Sequence, residues 1–220
     1  PGQEAGDGLA DVLFGRAEAG GRLPTTWGAA QEDVPVLDTL PAPDGRLHYE
    51  EGPHIGYRAW LRSGSVPAYW FGHGLGYTDW EYEELTAPAS VRAGEPFDVR
   101  VRVRNSGRRR GREVVQVYLA RSGSAVERPV RRLIGYAAVE AGPRESVVAV
   151  VRVSGRALAH WSAERHGWET EAGGFTLLGG RSAGELPLTA ALTAAGAPPS
   201  SGPGVPEAAD RDGERSPSVL

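Results

Sequence analysis

At 220 residues, 40% of them apolar, the chain is long enough for one or two domains and can bury a core, which excludes a peptide and a fully disordered chain. It has no cysteine, methionine or lysine, so disulfides, thiolate metal sites and cysteine nucleophiles are excluded, and a chain starting at Pro1 without methionine is expected to be a processed product or a fragment. Charge divides it: residues 1–83 carry 13 acids and 5 arginines, 84–193 carry 11 and 17, and 194–220 carry 4 and 2, giving net values of −8, +6 and −2 whose first two signs suit mutual docking.

Leu9, Val12 and Leu13 recur at helical spacing behind Asp7, and Gly15 stands where a left-handed C-cap belongs, which predicts one short helix ending at Phe14. Gly20 and Gly21 then turn the chain into an extended segment, Arg22 to Trp27, whose Pro24 restricts it to a strand edge or end. From Gly28 to Gly76 the sequence is rich in Pro, Gly and aromatic residues but lacks periodicity, and it reads as loops packed over a larger body. Beyond it, Phe97, Val99, Val101 and Val103 alternate with Asp98, Arg100, Arg102 and Arg104, the pattern of a half-buried strand with a charged outer face. Asn105 to Gly107 supplies turn chemistry, and Glu113 to Ala120 makes the return strand. Further strands are expected at 81–85, 132–139, 146–153, 167–170 and 174–178. About seven short strands over roughly 100 residues indicate a β-sandwich of immunoglobulin or fibronectin type III kind. Residues 194–220 have almost no large apolar side chains and are expected to be a disordered tail.

Several strings, read together and in order, resemble one family. PGQEAGDGLADVLFGRAEAGGRLPTTW at 1–27, YEEGPHIGYRAW at 49–60 and FGHGLGYTDWEY at 71–82 resemble the end of the second domain of glycoside hydrolase family 3 enzymes. VRVRNSGRRRGREVVQVYLA at 101–120, VERPVRRLIGYAAVEAG at 126–142 and GGFTLLGG at 173–180 resemble the fibronectin type III-like domain that closes many of the family's β-glucosidases. The resemblance implies a mixed fold: residues 1–80 as the C-terminal remnant of an α/β sandwich domain, 81–193 as an all-β fibronectin type III-like sandwich, and 194–220 as the tail. It also implies a parent that is a retaining β-glycosidase, which needs two carboxylates about 5 to 5.5 Å apart, one nucleophile and one acid/base. In the family these lie on a barrel and in the second domain ahead of the segment matching Pro1, so this chain is expected to hold no catalytic residue and to be inactive alone. The partners implied are the missing barrel and the rest of the α/β domain, with β-linked glycosides reached through the parent.

Other readings of the same residues are weaker. Glu4, before a helix, is expected to satisfy its backbone donors, and Glu50 and Glu51, adjacent on an extended chain, would point to opposite faces. Glu4 and Glu51 are kept as candidates for contact with the edge of a sugar pocket. Gly72 to Gly76 lacks the spacing of a phosphate loop and reads as close packing between domains, and the histidines lack metal-ligand spacing. No cofactor or metal is expected. The arginines between Arg100 and Arg112 could grip phosphates, but they are not interleaved with stacking aromatics and the chain is acidic overall, so nucleic acid is not expected. No apolar run reaches the roughly 18 to 20 residues of a spanning helix, so no membrane partner is expected either. Localisation is left open between cytoplasm and secretion. Nine aromatics fall between Tyr49 and Tyr82, and Tyr49, Tyr57, Arg58, Trp60, Trp70, Phe71, Tyr77 and Trp80 are expected to form an interdomain docking seam. A polysaccharide-binding module, with those rings stacking sugars, is the runner-up.

Overall fold

The computed structural model describes residues 2–35 and 40–196. The part of the expected tail from residue 197 onward lies outside them.

The first helix, α1 (Ala5–Leu13), ends as its pattern requires, with Gly15 left-handed at φ 69 just beyond it. No residue of α1 is buried, and Leu9, Leu13 and Phe14 stand 60%, 68% and 79% exposed, so the apolar stripe is formed but uncovered among the described residues. The segment from Arg22 to Trp27 is extended and lies antiparallel to residues 69–73, through Trp27–Tyr69 bridging and bonds between Leu23, Gly72 and His73. The stretch read as loops contains a second helix, α2 (Tyr57–Ser63), closed by Gly64 at φ 72. It is only two turns long, too short for its apolar residues to show a period.

Two sheets build the sandwich. One has three strands in the order β1 (Trp80–Thr86), β3 (Phe97–Asn105), β6 (Ser146–Val153), all antiparallel. The other has five, in the order β2 (Ser90–Arg92), β10 (Leu188–Ala195), β9 (Gly173–Gly180), β4 (Gly111–Ala120), β5 (Arg132–Ala141). The chain changes sheets between β1 and β2 at Ala87 to Ala89, where Pro88 has no N–H to continue the ladder. β2 then pairs in parallel with β10. Between the sheets, Val99, Val101 and Val103 meet Val151, Val153, Val115, Val117, Leu177 and Leu192, all essentially without solvent contact. This is the alternation that the sequence shows, with period two putting every second residue inward.

Three expectations change. The strand expected at 167–170 does not join either sheet: β7 (His160–Ser162) and β8 (Gly167–Glu169) form a separate two-stranded ribbon. β10 has no counterpart among the expected strands, because LTAALTAA is short of large residues. It buries Leu192 and Ala194 against β9, so Ala194 and Ala195 belong to the sandwich and not to the tail. Of the arginines of β3, Arg102 also finds its acids on the neighbouring strand. A bulge between Tyr82 and Glu84 leaves Glu83 unpaired, so that Glu83 and Glu84 both reach Arg102, at 3.2 and 2.9 Å.

Leu177→Ala, with no solvent contact at the wild-type side chain, should cost about 2 to 5 kcal/mol, and Val148→Ala, 46% exposed on the outer face of β6, less than about 1 kcal/mol, as read from denaturant midpoints.

Candidate functional site

The outer face of β4 is where the two parts of the chain meet. β3 alternates apolar and charged residues, but β4 is buried on both faces from Val115 to Leu119, and Gln116 and Tyr118, pointing away from the core, are 3% and 0% exposed. The first stretch covers them. Gln116 donates to the carbonyls of Gly72 (3.2 Å) and Arg181 (2.6 Å) and accepts from the Tyr118 hydroxyl (2.7 Å). Gly72 is left-handed at φ 83, and a Cβ there would overlap the Gln116 amide, so within the Gly72 to Gly76 run this glycine provides the close approach.

The rings close around that contact. Tyr57, first residue of α2, accepts from the Leu133 N–H of β5 at 2.8 Å, stacks on Phe71 at 5.1 Å and meets Tyr118 edge-on at 5.9 Å. Phe71 accepts from the Ala183 N–H at 2.9 Å, and a Cβ on Gly184 would run into the Trp70 indole. Tyr77 donates to the Val12 carbonyl, and the Arg109 guanidinium lies 5.2 Å over its ring while bonding the Gly15 carbonyl. Arg58 lies over the Tyr57 ring at 5.7 Å and lines a cleft with Arg128 and Arg132 of the sandwich, and the three remaining residues of the expected seam lie elsewhere. Trp60 is 2% exposed but packs by Gly28 inside the first stretch, and Trp80 joins the sandwich core as the first residue of β1. Tyr49 stands 75% exposed beside the turn that follows it.

Opposite net charge does not join the parts. Apart from Glu83 with Arg102 on the paired strands β1 and β3, the charged contacts between them, among the described residues, run the other way: basic groups of the acidic stretch meet acids of the basic sandwich. Arg22 pairs with Glu113 at 2.8 Å, and His54 with Glu127 at 2.8 Å, with Arg62 4.0 Å from the same carboxylate. Glu113 is fully buried and also takes Arg181 at 3.3 Å and the Tyr82 hydroxyl at 3.3 Å. Burial, followed by the charge of Glu113, holds the Tyr82 hydroxyl far above its ordinary value. Glu113, Gln116, Arg22 and Arg181 were not among the residues singled out from sequence. The signal for Gln116 is the run VVQVYLA, whose outward positions carry no charge, unlike those of β3; that is the mark of a strand covered on both faces, whereas no local pattern marks Glu113, Arg22 or Arg181.

A second cluster ties the loop after β4 to the loop before β9. Glu171 accepts from the Ser124 hydroxyl (2.6 Å), the Ala125 N–H (2.8 Å) and Arg128 (3.0 Å), with Arg121 at 3.5 Å. Burial works to raise its carboxyl, but these hydrogen bonds and the Arg121 charge outweigh it and bring the value down to about 2.

The sequence candidates for sugar contact separate. Glu4 is the N-cap of α1, exposed, and its side chain makes no capping bond, which corrects the expectation that it satisfies the helix donors. Glu50 and Glu51 lie in a turn and not on an extended strand, so both line one cleft of about 680 Å³ with His48, His54 and Arg62. Among the described residues no group of His, Asp or Glu is arranged to hold a metal.

A short α/β segment clamped by aromatic rings onto a fibronectin type III-like sandwich defines a domain junction. Residues 1–77 match the glycosyl hydrolase family 3 C-terminal domain, and 113–183 match the fibronectin type III-like domain. The chain belongs to glycoside hydrolase family 3 and corresponds to a C-terminal part of its β-glucosidases. It is 35% identical over 188 residues to thermostable β-glucosidase B of Acetivibrio thermocellus, covering 85% of this chain and 25% of that protein. A family 3 β-glucosidase from Bifidobacterium adolescentis superposes with a TM-score of 0.82 at 32% identity, over 89% of this chain and 29% of that one. DesR, a β-glucosidase from Streptomyces venezuelae solved with D-glucose, gives 0.78 at 34%, over 84% and 24%. The chain thus spans about a quarter of the length of the curated relatives it matches.

Arg22→Ala would leave Glu113 buried with Arg181 as its remaining guanidinium, and should cost about 3 kcal/mol in chemical denaturation. The stabilisation from Glu171 should be fully present above its ordinary value of 4.5 and be lost as pH falls toward 2, so Glu171→Gln should flatten that acid limb in melting temperature against pH.

Proposed function

We propose that this chain is a non-catalytic C-terminal part of a retaining β-glycoside hydrolase, and that its role is to hold the end of the α/β domain on the sandwich through the seam of Tyr57, Trp70, Phe71 and Tyr77. The carrying observation is the 35% identity over 188 residues that make up only 25% of a β-glucosidase. The names of the relatives support a β-linked glucoside as the substrate class of the whole protein. The nucleophile and acid/base belong to regions of the family that this chain does not contain, and the partners of the seam's exposed side are the family's barrel and the remainder of its α/β domain. The uncovered Leu9, Leu13 and Phe14 of α1 fit that assignment, since an amphipathic stripe is stable when a partner buries it. Within the larger cleft, Glu51 is assigned a contact at the edge of the sugar site; Glu4 lies outside that cleft, and the assignment is confined to Glu51.

The purified chain should show no turnover of aryl β-glucosides; turnover that copurifies with it would overturn the non-catalytic reading. Phe71→Ala should speed amide exchange in residues 57–73 while leaving β3 and β6 protected, at a cost of about 2 kcal/mol for a ring that is only partly buried. Unchanged exchange in that segment would remove the docking role.

A further inference from the structure

The β7–β8 ribbon stands apart from both sheets and carries two tryptophans in direct cross-strand register, Trp161 opposite Trp168. Their rings meet edge to face at 5.7 Å and 78°, yet remain 49% and 40% exposed. Two large rings left half in water on a two-stranded ribbon are not core packing. Beside them opens a cleft of about 220 Å³, lined by both indoles together with Arg58, Arg121, Arg128 and Arg132.

Charge in this cleft is not balanced. Glu171 is shared between Arg121 and Arg128. Glu127, which also lines the cleft, is engaged by His54 at 2.8 Å. His160 contributes a ring nitrogen 3.3 Å from Arg128 and lies 4.0 Å from Glu169. Arg58 and Arg132 are left with neutral partners among the described residues. Arg58 bonds the Pro53 carbonyl at 3.2 Å and lies over the Tyr57 ring, and its Nε is buried with no hydrogen-bond partner. Arg132 bonds the carbonyls of Ala157 and Ala159. Burial, then the charges of Arg128 and Arg58, push the Arg132 guanidinium below its ordinary value, the signature of cations crowded without a counterion.

We propose that this cleft binds an acidic sugar, a single uronic acid residue, with its ring on Trp161 and its carboxylate on Arg58 and Arg132. Trp161 is the more exposed of the two near-perpendicular indoles, and Arg156 already lies over Trp168. The planar guanidinium fork matches a carboxylate, and the flat C–H face of a pyranose suits an indole. The cleft is smaller than the roughly 300 to 1,000 Å³ of drug-sized sites, which fits one ring and not a chain. The site is formed by the junction itself, since Arg58 comes from α2 and the other groups come from the sandwich. It does not depend on the activity proposed above.

The test is a titration of the 220-residue chain followed by NMR shifts of the tryptophan indole N–H signals, using glucuronate, glucose, acetate and inorganic phosphate as separate probes. Glucuronate should shift the Trp161 and Trp168 signals and bind at least tenfold more tightly than each of the other three. Trp161→Ala, at an exposed position, and Arg58→Gln should each weaken glucuronate at least tenfold. Glucose binding as well as glucuronate would overturn the role of the arginines, and acetate or phosphate binding as well would overturn the role of the indoles. Absence of any shift with glucuronate would overturn the site. Should Arg58→Gln lose its cooperative thermal transition, the probe series and Trp161→Ala decide the question by themselves.

Discussion

The structure depends on covering the outer face of β4. Gln116 and Tyr118 sit there with polar atoms and almost no solvent contact, and a buried amide or hydroxyl without partners costs several kcal/mol. Tyr118 bonds Gln116 within the strand, and the Gln116 amide finds its partners outside it: the Gly72 carbonyl from the first stretch and the Arg181 carbonyl from the loop after β9. The seam therefore does more than add apolar area. It satisfies groups that β4 would otherwise leave orphaned, and it brings Glu113 within reach of Arg22, so the sandwich and the preceding segment complete each other.

Net charge was a poor guide to this junction. Residues 1–83 and 84–193 differ by 14 units of formal charge, −8 against +6, yet apart from Glu83 with Arg102, neighbours on paired strands, the charged contacts that join them are Arg22 with Glu113 and His54 and Arg62 with Glu127. Charges at a buried contact are selected by geometry and by the cost of desolvation, which fall off over a few ångströms, while a summed charge reports on the screened surface. Several of the sandwich's arginines pair locally instead. Arg102 answers two glutamates of the neighbouring strand through a bulge, and Arg121 and Arg128 converge on Glu171.

The junction is built from a few buried polar groups and packed rings. There Gln116 bonds Tyr118 and the Gly72 and Arg181 carbonyls, Glu113 takes Arg22 and Arg181, and Tyr57 packs on Phe71 and Tyr118, while Arg22 Nε and His54 Nδ1 stay buried without a hydrogen-bond partner. Where polar groups are left without charged partners, as at Arg58 and Arg132, they lie in a small cleft beside exposed indoles, away from the Gln116 contact.

The sandwich was legible in the amino-acid sequence because its information is local. Alternation along β3, turn chemistry after Asn105 and the spacing of apolar runs need no knowledge of the partner strand, and α1 with Gly15 at its end was equally readable. The family's strings also identified both units and their order. What only the tertiary structure decided is everything that depends on which surfaces meet. That includes α2, too short to show a period; β10, whose alanines are buried only because β9 lies beside it; and the removal of the tryptophans of β7 and β8 from the main sheets. It includes the division of the aromatic run as well: Tyr57, Trp70 and Phe71 face the sandwich, Trp60 turns inward and Tyr49 outward. The composition of that run is the same for every ring, and burial is set by distant neighbours, so no local pattern could have sorted them.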